Sequence, residues 1–91
     1  MNLNKNEKAA LIALVRSCLD AMGGKHPSDL WNDFYAWVEP RDLVAYSNFT
    51  INQAKGYFSD FEKKGLVMEH EPGEWCLTES AVKLAERVWQ E

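Results

Sequence analysis

The chain has 91 residues, of which 46% are hydrophobic and 26% charged, and it carries a net charge of −4. That length predicts one domain around one core, and that composition argues against disorder. No apolar run approaches the ~20 residues that cross a bilayer, so no membrane partner is expected, and the acidic balance weakens any non-specific pull toward phosphate.

The opening MNLNKNEK leads into a helical pattern rather than a secretory h-region, which predicts a cytoplasmic protein. Cys18 and Cys76 lie far apart on apolar segments. They read as reduced core thiols rather than as a disulfide.

Residues 4–22 read as a helix, because Leu11, Leu14, Val15, Cys18 and Met22 recur at three- and four-residue steps. Ile12 and Leu19 widen the stripe, and Gly23 and Gly24 end it. So wide a stripe is filled either by the chain's own helices or by a second copy. A homodimer through the N- and C-terminal helices is therefore one expectation.

Residues 26–38 are rich in aromatics: Trp31, Phe34, Tyr35 and Trp37. Ser28 after Pro27 predicts an N-cap for a short helix running to about Tyr35, with Leu30, Phe34 and Trp37 on one face. The alternative for Ala36 to Val38 is a short strand. The aromatic group either fills the core or forms an exposed interaction patch.

Pro40 opens a helix over 41–46 that buries Leu43 and Val44, followed by a Ser47-Asn48-Phe49 turn. Thr50 and Gln53 have capping-box spacing, so a second helix runs from there to Lys64. Its buried stripe is Ala54, Phe58 and Phe61, flanked by Ile51 and Tyr57, and Gly65 stops it. Residues 66–77 form a hairpin around Glu71-Pro72-Gly73, in which proline fixes one φ and glycine supplies a positive one. Thr78 caps a last helix over 79–90, with Ala81, Leu84, Ala85 and Val88 inward. The expected fold class is a single domain, mainly α with a small β-hairpin.

Helix, turn, a helix ending in FEKKGLV, a hairpin and then LTESAVKLAERV together resemble the winged helix-turn-helix domain over residues 40–88. The pattern is most similar to the MarR-like regulator type, through the spacing of Phe61, Gly65, Leu66 and Thr78. Phe61 stands where such proteins usually carry leucine. The resemblance implies that helix 50–64 is a recognition helix for the major groove of double-stranded DNA, that 69–74 is the wing, and that the protein regulates transcription.

Opposite its apolar stripe, helix 50–64 projects Asn52, Gly56, Ser59 and Lys63, with Lys55 and Asp60 beside them. Asn52 and Gln53 suit adenine edges, and Lys55 suits guanine or phosphate. Each competes with a plain solvated role, and Gln53 also with capping. Gly56 costs about 1 kcal/mol relative to alanine inside a helix, so a bare spot there points to close backbone approach by DNA, a protein or a neighbouring helix.

Charge opposes the DNA expectation. Lys55, Lys63 and Lys64 face Asp60 and Glu62, and the wing holds Glu69, Glu71 and Glu74 with only His70 as an offsetting group. Three carboxylates in a wing repel phosphate. The second expectation is therefore a protein-interaction or inhibitor domain that does not bind DNA. It would use the acidic wing (Glu69, His70, Glu71, Glu74) or the aromatic patch (Trp31, Trp37).

No nucleophile–base arrangement is visible, and the set Cys18, His26, His70 and Cys76 lacks the close pairs of a zinc site. No glycine loop cradles phosphate. An enzyme, a metal or a cofactor is not expected.

Overall fold

The computed structural model describes residues 2–32 and 36–89. Helix α1 spans Lys5–Met22. The Asn4 side chain caps it by accepting the Glu7 amide, while the Glu7 carboxylate accepts the Asn4 amide. Gly23 closes it with φ 75°, a conformation that a side chain would strain.

Residues Pro27–Asn32 form a 3-10 turn, not the helix expected from Ser28. Asp29, inside the turn, reaches back to accept the amides of Lys25 and His26 at 2.9 and 3.1 Å. Those two bonds also hold its carboxyl below the usual range. Ser28 instead pairs with the His26 ring at 2.8 Å. Phe34 and Tyr35 lie outside the described residues.

Strand β1, Trp37–Val38, realises the strand alternative for this segment. Helix α2, Pro40–Ala45, starts with proline in its first turn. The turn after it is fixed by Ser47, whose hydroxyl donates to the Leu43 carbonyl and accepts the Phe49 amide. Helix α3, Ile51–Lys63, has the expected Thr50–Gln53 capping box and buries Ala54, Phe58 and Phe61. Strands β2, Val67–Glu71, and β3, Glu74–Leu77, flank the Pro72-Gly73 turn, and helix α4 covers Glu79–Val88.

The hairpin is thus part of a three-stranded antiparallel sheet in the order β1-β3-β2. The fold is mainly helical, with helices α2 and α3 joined by a tight turn and followed by the small sheet. Thr78 ties these parts together. Its hydroxyl donates to the Gly65 carbonyl at 2.6 Å and accepts the Ala81 amide at 3.2 Å, so one side chain links the end of α3 to the start of α4.

Helix α1 is the spine of the core. Its buried residues meet α2, α3, α4, β1 and the 3-10 turn. Of the wide stripe, Leu11, Leu14, Val15, Cys18 and Leu19 are covered by the chain itself, while Ile12 and Met22 are half-buried. On α4 the buried residues are Ala81, Val82 and Ala85, while Leu84 and Val88 are only half-buried. The helix is rolled toward Val82 because it packs against the 3-10 turn as well as α1.

One polar tie spans most of the chain. Lys64 Nζ bonds the carboxylates of both Glu7 and Asp60. Glu7 is held down to about 2, first by the Lys64 bond and then by the Asn4 amide. A depressed carboxyl contributes stability above its unfolded value and loses it as pH falls through the folded one. The wild type should therefore lose this contribution between about pH 4.5 and about 2. Glu7→Gln should be less stable than wild type at neutral pH, and the gap in melting temperature should close across that window.

Candidate functional site

Two surfaces carry the residues singled out by sequence. The first is the outer face of α3. Asn52, Lys55, Gly56, Ser59 and Lys63 are all exposed there, and among the described residues no other element covers them. Gln53 is exposed too, but its side-chain oxygen accepts the Thr50 amide at 2.8 Å, so capping already occupies it. Asp60 is engaged with Lys64. That pairing removes one of the three lysines counted on this helix, which leaves Lys55 and Lys63 against Glu62.

A Cβ built on Gly56 would meet nothing within 4 Å. A neighbouring helix of this chain is therefore not what the glycine makes room for. Its backbone angle is ordinary, since positive φ is confined among the glycines to Gly23, Gly65 and Gly73. Gly56→Ala should then stabilise the fold by about 0.5–1 kcal/mol, read as a higher midpoint in urea. A variant that is more stable yet binds its partner less tightly would identify this patch as a place of close approach.

The second surface is the outward side of the sheet. Cross-strand register puts Trp37 opposite Cys76 and Cys76 opposite Met68, so the three side chains form one row on one face. The alternate row, Val38 and Trp75, points inward, with Trp75 edge-on to Phe58 at 5.6 Å. A solvent-facing sheet side normally alternates to polar residues. Here it does not: Trp37 is 49% exposed and Met68 53%. His70 lies edge-on to the Trp37 ring at 5.5 Å and extends the patch toward the wing.

Beside this row a groove of about 370 Å³ opens between the sheet and α4, lined among others by Trp31, Trp37, Cys76 and Val82. Trp31 is 43% exposed, and its indole donates to Glu86 of α4 at 2.6 Å. Of the two expectations for the aromatic segment, Trp31 and Trp37 follow the exposed one. Among the described residues of this segment Leu30 and Val38 enter the core, at 5% and 1% exposure.

The wing residues Glu69, His70, Glu71 and Glu74 are all exposed. Glu69 also accepts the Gly73 amide at 3.1 Å, which braces the turn. The strand pairing is irregular between Glu69 and Glu71, so the open edge of β2 carries both a kink and charge. Both features disfavour indiscriminate strand pairing there.

Both thiols are free. Cys18 donates to the Trp37 carbonyl, and burial, then the charge of Asp42, pushes it up to about 12. Among the described residues no cluster of three or more His, Cys, Asp or Glu side chains is placed to hold a metal ion. Nor is any helix among them long and apolar enough to cross a membrane.

Sequence reasoning missed the Trp37–Cys76–Met68 row, Glu79, Val82 and Glu86. The row was hidden because β1 pairs with a strand almost forty positions later. Val82 was hidden because the roll of α4 depends on the 3-10 turn. No family model, curated protein or solved structure matched this chain when it was compared with all three.

Proposed function

We propose that this chain is a protein-binding domain of winged-helix type, which engages its partner through the outer sheet face and the acidic wing. The observation that carries this reading is the Trp37–Cys76–Met68 row, exposed at Trp37 and Met68, beside a wing without lysine or arginine. Aromatic residues in a partly formed hollow are the usual anchors of protein interfaces. The wing carboxylates would repel a polyanion and attract a basic protein surface.

Capture of a partner from the source cell, with the interface residues mapped by cross-linking, tests the reading. Charge reversal by Glu69→Lys, Glu71→Lys and Glu74→Lys together should abolish capture. Lys55→Glu with Lys63→Glu should leave it intact. The opposite pattern would overturn the proposal.

Double-stranded DNA is the second reading, favoured by the exposed set Asn52, Lys55, Gly56, Ser59 and Lys63 on α3 and by the MarR-like resemblance. Its weakness is quantitative. Two lysines neutralising two phosphates give a log–log salt slope of only about −2, against which three wing carboxylates act. Titration of labelled duplex at low and moderate salt separates the readings. DNA binding that Lys55→Ala weakens would favour this one.

A further inference from the structure

The groove between α4 and the sheet has a charge pattern that specifies its occupant more narrowly than the protein-binding reading on which this inference rests. Glu79, Val82 and Glu86 follow one another at three- and four-residue steps, so they share one face of α4. Val82 and Glu79 line the groove, and Glu86 holds Trp31 at its rim. The two carboxylates are seven residues apart, which is about 10 Å along a helix. Among the described residues that line the groove there is no lysine or arginine.

The groove volume of about 370 Å³ lies near the lower end of the ~300–1,000 Å³ of ligand clefts. It has room for one or two large side chains rather than a whole helix. Among the described residues both carboxylates are open to a new partner. The Glu79 bond to Lys83 is 3.5 Å long with both side chains about two-thirds exposed, so it is a weak surface pair. Glu86 gives one oxygen to the Trp31 indole, and among the described residues the other has no partner.

We infer that the groove takes a helical segment of a partner protein in which one large apolar side chain is flanked on both sides by lysine or arginine. The apolar side chain enters between Trp37 and Val82. The two cations, seven positions apart on the segment, meet Glu79 and Glu86.

The test uses the full chain and three synthetic helical peptides, with binding read by calorimetry and by tryptophan fluorescence at low salt. One peptide carries leucine with lysine three residues before and four residues after it. The second has glutamate in place of both lysines, and the third has alanine in place of the leucine. The lysine–leucine peptide should bind at least about tenfold tighter than either of the others, a margin of about 1.4 kcal/mol. In Glu79→Gln with Glu86→Gln, which keeps the acceptor for Trp31, the preference for lysine over glutamate should fall below about threefold.

Equal binding of the lysine and glutamate peptides, or a preference untouched by the double variant, overturns the inference. If no peptide binds while partner capture still depends on Trp37, the charge-flanked anchor is wrong and the protein-binding reading stands. If capture is also indifferent to Trp37, both fall.

Discussion

Phe61→Ala should destabilise the protein by about 3–5 kcal/mol. Phe61 is fully buried at 0% exposure and heads the largest buried side chains. It packs 6.1 Å from the Tyr57 ring, which in turn lies 4.9 Å from Phe49, so its loss opens a void under the helix–turn–helix joint. Its backbone carbonyl accepts the Leu66 amide at 2.8 Å, and that bond survives truncation. The penalty is therefore cavity and lost transfer energy, not a broken turn. Domains of this kind hold about 5–15 kcal/mol in all, so the variant should be marginal at room temperature. Urea unfolding followed by circular dichroism measures the loss. A value under about 1 kcal/mol would mean that neighbouring side chains collapse into the space.

Trp37→Ala should do the reverse, leaving the fold nearly intact and removing the partner. The ring is half exposed, and its described aromatic contact is the exposed His70. What fixes β1 is backbone: its pairing with β3 and the Cys18 thiol on the Trp37 carbonyl. A tryptophan at the centre of an interface typically contributes at least about 2 kcal/mol, which is roughly thirtyfold in Kd. The check is a melting curve alongside partner capture. A variant that unfolds early but still captures its partner would reassign Trp37 to the core.

The local grammar of the chain was legible from its residues. Thr50 and Gln53 announce a cap, Gly65 a stop and Pro72-Gly73 a turn, and each is a short-range rule that the surroundings do not override. Ser28 failed as a cap because its hydroxyl pairs with the His26 ring instead of accepting an amide ahead of it. Helix α4 kept its span to within two residues of the expected 79–90 but not its orientation, since which face is buried depends on what it meets. The Lys64–Glu7 tie joins positions 57 apart, and no pattern along the chain encodes it.

The candidate site was less legible than the fold for the same reason. Trp31 and Trp37 stand out in the sequence, yet whether they point in or out is decided by register. Shifting β1 by one residue against β3 would turn Trp37 inward and Val38 outward. The carboxylate–valine–carboxylate face of α4 was readable as spacing, but it means something only beside the sheet.

The strand order β1-β3-β2 has a consequence for how the protein emerges from the ribosome. The central strand is the last one made, so neither outer strand has a partner until Leu77 has been synthesised. Until then the sheet beneath Phe58 cannot close, and Val38 and Val67 lack their β3 neighbours. Local helix contacts form early and the long-range ladder closes late. The interval between them is the time at which this small acidic chain is most open to chaperones and to its neighbours.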